Sequence, residues 1–238
     1  MSTGWKNNGQ QLVYTVLNPL IQLMVRTGVT PNMITFLGLL INVAASAMFI
    51  YGAERSIRDD HSTVAIGGVI ILLAGLMDMV DGRLARVGHM ESKYGALFDS
   101  VLDRYSEMIM FLGICYYLVE NQYFLSSLFA FIAMIGSIMV SYVRSRAEGL
   151  GLKMADVGLM QRPERIILIG SSAIACGLFS VFVGGDFKIT VPGMEFPLFE
   201  TITIFTFPLF ILAILANITA WNRLKKAEEM LMKEEFAK

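Results

Sequence analysis

The sequence predicts an all-α integral membrane protein, with six transmembrane helices preceded by an interfacial amphipathic helix. Composition is the first reason. Of 238 residues, 55% are hydrophobic and only 16% charged, against about 25% charged in a soluble domain. Mean hydropathy is +0.60, and so short a chain cannot hide that much apolar side chain in a water-soluble core. The second reason is segmentation: six stretches approach the roughly 20 apolar residues that a bilayer crossing requires. The formal charge of −1 gives no basic field for nucleic acid.

The elements follow in order. Leu12, Val13, Val16, Leu17, Leu20, Leu23 and Met24 recur at helical spacing, with Gln11, Asn18, Gln22 and Arg26 opposite. This predicts a helix lying on the bilayer, started or bent at Pro19. Gly28, Thr30 and Pro31 then punctuate the chain, and proline suits a first helical turn. The spans are expected at 32–53, 63–87, 95–119, 122–147, 163–184 and 198–220. The organisation expected is 1–30 interfacial helix, 31–221 six-helix catalytic domain and 222–238 charged cytoplasmic tail continuing the last helix. The polar start MSTGWKNNGQ predicts no cleaved leader. Cys115 and Cys176 lie in apolar runs and imply no disulfide. His61 and His89 read as solvated loop residues.

Lys and Arg set the orientation. Both termini and the loops after spans two and four carry Lys6, Arg26, Arg83, Arg86, Lys93, Arg144, Arg146, Lys153, Arg162, Arg165 and the tail cations, including Arg223 and Lys238. The opposite side carries only Arg55, Arg58 and Lys188. Positive-inside therefore puts the first set in the cytoplasm and the protein in the cell membrane.

Four carboxylates interrupt the apolar pattern. Asp78 and Asp81 are spaced i, i+3, and Asp99 and Asp103 i, i+4, so each pair shares a helix face. The turn near 88–93 folds the two helices back, within roughly 20 Å of all four acids. An ionisable residue in a span costs about 2.5–3.5 kcal/mol even on the lenient insertion scale. Two hard divalent cations, Mg²⁺ or Mn²⁺, would cancel four such charges, and paired metals suit displacement at phosphorus. A proton relay, ion transport, or ion pairing with Arg83, Arg86 or Arg104 stays open on these residues alone. Gly82, Ala85 and Gly95 leave room for a ligand or for close helix packing. Arg86 can grip a diphosphate as a fork. Glu107, one turn past Asp103, reads as structural or as an extension of the metal shell.

The order Asp78-x2-Asp81-Gly82-x2-Ala85-Arg86-x8-Gly95-x3-Asp99-x3-Asp103 resembles, position for position, the signature of the CDP-alcohol phosphotransferase family. The resemblance covers nearly the whole chain, more loosely outside this motif. It implies a homodimer with an active site open to the cytoplasm. Asp78, Asp81, Asp99 and Asp103 would hold two ions, Asp103 would also be the base, and Gly82, Ala85, Arg86 and Gly95 would border the CDP-lipid. An alcohol would then attack the phosphorus bearing the lipid of CDP-diacylglycerol, and CMP would leave.

The acceptor is read from SYVRSRAEGLGLKMADVGLMQRPERIIL. Arg144 and Arg146 end one helix where Arg162 and Arg165 begin the next, so these cations should converge on a small phosphorylated alcohol. The run Tyr142 to Glu148 and the element Arg162 to Arg165 resemble the family branch that makes phosphatidylinositol phosphate. That resemblance implies inositol 1-phosphate held by Arg144 and Arg165, with Arg162 and Arg223 as further candidates. Glycerol 3-phosphate, free inositol or serine would be the alternatives, and a cation- or proton-coupled transporter the rival from another class.

Overall fold

A computed structural model describes residues 17–55, 60–152, 154, 160–190, 192–193 and 197–236. The expectations on Gln11 to Val16, and on Lys6, Arg58, Lys153 and Lys238, lie outside these residues. The described elements are α1 (17–27), α2 (Pro31–Glu54), α3 (Ser62–Val87), α4 (Lys93–Glu120), α5 (Phe124–Gly149), α6 (Arg162–Val183), β1 (Lys188–Ile189), β2 (Phe199–Glu200) and α7 (Thr203–Phe236). By length and composition α2, α3, α5, α6 and α7 can each cross a membrane, which makes this an integral membrane protein. α4 is 28 residues long but carries Asp99, Asp103, Arg104 and Glu107 between its start and its midpoint region, and it falls outside that set.

α1 ends where Gly28 takes φ 75, a left-handed value that glycine adopts without steric cost. Its fully buried residue is Ile21, which packs with Ile34, Val80 and Leu84 and has Leu17 and Met24 alongside. Leu20 and Leu23 are exposed instead. Part of the apolar face expected on this helix therefore turns inward, against α2 and α3.

Alternation at 3.6 residues selects the buried faces of the long helices. On α2 the buried face runs Ile34, Thr35, Gly38, Asn42, Ala45, Ser46, Phe49, Gly52, Ala53. The main core gathers Phe49, Phe111, Tyr117 and Phe205, with Phe49 edge-on to Tyr117 and stacked on Phe205. α2 packs along both α3 and α4, α3 along α6, and α5 along α7. Although a short turn joins them, α3 and α4 share no packed face of comparable extent. Both lean on α2, and the space between their turn-proximal ends is left for other uses.

Small residues set how close the helices come. A Cβ on Gly68 of α3 would lie 2.7 Å from the Gly170 carbonyl oxygen of α6. One on Gly113 of α4 would lie 2.6 Å from the Ser46 Cα of α2. These contacts are backbone against backbone, so neither neighbour can rotate away.

At the opposite end from the α3–α4 turn, the α6–α7 connection forms a two-residue antiparallel ladder, Lys188 to Glu200 and Ile189 to Phe199. The last span consequently starts at Thr203 rather than 198, and α7 is one helix of 34 residues reaching Phe236. His61 is not solvated: it is 0% exposed, with Nδ1 3.1 Å from the Tyr117 hydroxyl and Nε2 3.8 Å from Asp186. The α6–α7 connection folds over it, so its place between two helices in sequence misled. Burial alone would push the Asp186 carboxyl up. Hydrogen bonds from Lys188 Nζ at 3.1 Å and the Thr201 amide at 3.2 Å outweigh it and hold the group below the usual carboxylate range.

Two outcomes test this packing. Gly113→Val should force α2 and α4 apart, costing roughly 1–3 kcal/mol of overpacking strain. Its melting temperature in detergent should fall by several degrees, and an unchanged value would mean the helices yield freely. Asp186, lowered in the folded state, contributes stability above its unfolded value of about 3.9 and loses it as pH falls through the folded value. The melting difference between wild type and Asp186→Asn should therefore be constant near neutrality and close below about pH 4. A difference that widened in acid would contradict the assignment.

Candidate active site

The acids lie at the turn-proximal ends of α3 and α4. The turn between them is built locally: Met90 N–H bonds the Ala85 carbonyl at 2.9 Å, His89 takes φ 51, and Ser92 caps α4 by accepting from Gly95 N–H at 2.9 Å. The cap explains part of the need for glycine, since a Cβ on Gly95 would lie 2.9 Å from Ser92 Oγ.

Asp78, Asp99 and Asp103 each place a carboxylate oxygen within 4.8 Å of the others. Asp81 lies beside them, 5% exposed, and accepts a 2.7 Å hydrogen bond from Thr35 of α2. Arg162 of α6 reaches into the group, its Nη1 2.6 Å from both Asp78 and Asp103. The cation that neutralises part of the cluster is thus Arg162, from a helix remote in sequence. Oδ1 of Asp99 is buried and has no hydrogen-bond partner among the described residues. A buried carboxylate oxygen left without a donor needs a cation or a ligand proton. Three convergent carboxylates and this orphaned oxygen fit a hard divalent cation such as Mg²⁺ or Mn²⁺.

Two cavities open on either side of Asp99. The first, about 240 Å³, is lined by Asp81, Gly82, Ala85, Arg86, Gly95 and Asp99, with Asn32 and Thr35 of α2. All four residues expected to border the CDP moiety are in it. At Gly82 a Cβ would meet nothing nearer than the Arg86 guanidinium at 3.8 Å. Space there is open to the cavity; close helix packing, the other explanation of a small residue, belongs to Gly68 and Gly113.

The second cavity, about 320 Å³, is lined by Asp99, Asp103, Arg104, Glu107, Arg144, Arg162, Arg165 and Arg223, among others. The four arginines expected around an acceptor phosphate meet here. Arg146 does not join them and lines an apolar groove with Tyr142, Leu224 and Leu231. Two residues along a helix is about 200°, so Arg144 and Arg146 cannot face one cavity.

Each arginine of this cavity is held from inside the protein. Arg144 Nε bonds Glu148 at 2.9 Å, and Arg223 Nη1 bonds the Val140 carbonyl at 2.7 Å. Arg104 bonds the Ser100 carbonyl and hydroxyl and, at 2.6 Å, Ser145 Oγ. Arg165, 1% exposed, forms a two-pronged pair with Glu107 at 2.8 and 3.0 Å. Both Glu107 oxygens are engaged, and the residue is not in the group of convergent carboxylates, which favours its structural reading. Thr35, Asn32 and Ser145 escaped the reading of the sequence. A polar stripe on α2, Asn32, Thr35, Gly38 and Asn42, was the signal available for the first two.

Comparison with known proteins agrees with this geometry. The model of the CDP-alcohol phosphatidyltransferase family matches residues 28–222. The phosphatidylinositol phosphate synthase of Mycobacteroides abscessus is 35% identical over 168 residues, 70% of this chain and 71% of its own. The archaetidylinositol phosphate synthase of Pyrococcus horikoshii is 36% identical over 143 residues, 60% of this chain and 68% of its own. The phosphatidylinositol phosphate synthase of Mycobacterium tuberculosis has been solved with CDP-DAG bound. It superposes with a TM-score of 0.70 at 25% identity, over 90% of this chain and 94% of that one. Its structure in complex with manganese and citrate gives 0.66 at 25% identity, over 88% and 87%. With the family match the transporter reading falls away. A membrane protein that carries the full aspartate signature, folds its acids into one cation-ready group and matches the family model over most of its length belongs to the CDP-alcohol phosphatidyltransferase family, and is a divalent-metal-dependent enzyme.

Proposed function

We propose that this enzyme transfers the phosphatidyl group of CDP-diacylglycerol, or a similar CDP-lipid, to inositol 1-phosphate, forming phosphatidylinositol phosphate and CMP. The observation that carries the reading is two cavities meeting at Asp99, one bordered by the CDP signature and the other by arginines. The names of the relatives from Mycobacteroides, Mycobacterium and Pyrococcus support the inositol phosphate acceptor. Glycerol 3-phosphate, free inositol and serine remain as the alternative acceptors to be tested against it.

In this reading Asp78, Asp81, Asp99 and Asp103 hold two divalent ions. Bound metal would supply positive charge to the diphosphate as charge builds on the oxygens in the transition state. Gly82, Ala85 and Gly95 keep side chains out of the way of the CDP moiety, and Arg86 grips its phosphates. Arg144, Arg165, Arg162 and Arg223 hold the acceptor phosphate and aim its hydroxyl at the phosphorus. Asp103, which lines the acceptor cavity, takes the hydroxyl proton as the new P–O bond forms. The P–O bond to CMP breaks, and CMP carries away the electron pair.

The placement in the membrane belongs to the same reading. α4 is the sixth span, its polar half sheltered by the site, and the α1 region, 1–30, lies in the interface. Residues 31–221 form the catalytic domain and 222–238 a cytoplasmic tail. Cationic residues concentrated at the α3–α4 turn and the α5–α6 connection support a site facing the cytoplasm in the cell membrane. Resemblance to the family supports a homodimer.

Purified enzyme should release CMP from CDP-diacylglycerol and inositol 1-phosphate only with Mg²⁺ or Mn²⁺. EDTA, Asp78→Asn and Asp81→Asn should each abolish turnover; full turnover in EDTA would refute the metal assignment. Asp103→Asn should still bind CDP-lipid while losing about 10²–10⁴ in rate, the usual cost of a lost general base. Arg144→Ala is the cleanest acceptor variant, because Arg144 and its partner Glu148 are both about two-fifths exposed and neither is stranded by the change. Its KM for inositol 1-phosphate should rise roughly ten- to a hundredfold with the KM for CDP-lipid unchanged. Preference of the wild type for free inositol would refute the acceptor.

A further inference from the structure

Resting on the acceptor reading above, we infer that Glu107 is a positioning residue for the acceptor phosphate, acting through the guanidinium of Arg165. Its side chain stands in the wall of the acceptor cavity, where a carboxylate ought to repel an anionic substrate. Both members of the pair are nearly inaccessible, with side chains 1% and 4% exposed. The bond is two-pronged: Nε donates to Oε1 at 2.8 Å and Nη2 to Oε2 at 3.0 Å. Nη1 donates to the Met160 carbonyl at 3.0 Å, just before α6 begins. Three of the five N–H groups are thus committed to fixing the plane of the guanidinium. The remaining two, one on each Nη, are the donors the planar fork can offer a ligand.

Burial of Arg165 at this depth needs a counter-charge, and Glu107 supplies it. The fork geometry does more than neutralise. A lone arginine on a flexible stem would sample many rotamers, and ordering it would fall on the binding step. Locked by Glu107 and Met160, it is ordered before the acceptor arrives. The cost is charge: the phosphate meets a cation already partly balanced, so affinity comes from direction more than from net positive potential. Glu107 does not line the lipid nucleotide cavity and is not one of the three clustered carboxylates. Its effect should therefore be confined to the acceptor.

Glu107→Gln, Arg165→Gln and the double variant test this, with initial rates measured against inositol 1-phosphate and CDP-diacylglycerol separately. Glu107→Gln keeps the shape and one acceptor but loses the charged fork. It should raise the acceptor KM roughly tenfold, the loss of one charge-assisted bond, with kcat within about twofold and the CDP-lipid KM unchanged. In the Arg165→Gln background the same change should add nothing. Glu107→Asp keeps the charge but withdraws it by one methylene, and a smaller KM increase should persist. Wild-type acceptor KM in either single Glu107 variant overturns the proposal. So does a KM increase of equal size on the Arg165→Gln background, or a parallel loss across kcat and both KM values, which marks a merely structural role. Failure of the acceptor reading is separate: it shows in the wild type alone, as equal or better use of free inositol, and removes this proposal with it.

Discussion

The structure is governed by the cost of charge at membrane depth. Four aspartates on two neighbouring helices of a membrane protein cannot stay near one another unless cations neutralise them. Everything near the α3–α4 turn answers that constraint. Arg162 crosses from α6 to Asp78 and Asp103, Thr35 donates to Asp81 from α2, and Asp99 keeps a buried oxygen for which the described residues provide no donor. The first two are what the fold contributes; the third marks where it leaves room for an external cation.

The same constraint explains why α3 and α4 stay apart. Directly packed helices would press the aspartates together and leave no volume for a nucleotide. α2 packs along both and acts as a spacer, which Gly113 against Ser46 lets approach α4 closely. The close α3–α6 contact at Gly68 and Gly170 then brings the start of α6, with Arg162 and Arg165, against the carboxylates. Glycines that carry helix packing and a glycine that borders an open cavity, Gly82, are thereby distinguished by what a Cβ would meet at each position.

Most of the site was legible because its residues lie close in sequence. Asp78 to Asp103 spans one helical hairpin, and helical periodicity alone brings those carboxylates to one volume. The arginines of the second cavity were legible as a group because α5 ends and α6 begins at the same end of the bundle. Arg146 was misplaced because two residues on a helix point in nearly opposite directions. Individual partners were not legible, since Arg162 with Asp78 and Arg165 with Glu107 join residues 84 and 58 positions apart, a matter of tertiary packing. His61 failed for the same reason: a loop residue on paper, it is covered by a connection more than a hundred residues later. α4 departs from a plain apolar span because half of it is given to the site.

The distribution of charge across the two cavities has a further consequence. In the proposed reaction both substrates are anions, and the carboxylates between the two cavities are anions as well. A cavity of bare arginines would be as costly in a membrane as bare aspartates, and it would also hold its product too firmly for turnover. Here Arg144 is partnered by Glu148, Arg165 by Glu107, and Arg223 by a backbone carbonyl. On that reading each guanidinium is stabilised before the acceptor enters. Recognition then depends on the fixed directions of several forks rather than on a large net charge. Directional recognition discriminates a phosphate-bearing alcohol from a neutral one through unmet hydrogen bonds, a stronger sieve than steric fit alone. On this reading the internal carboxylates Glu107 and Glu148, which would look like defects in a phosphate site, are what make Arg165 and Arg144 usable there.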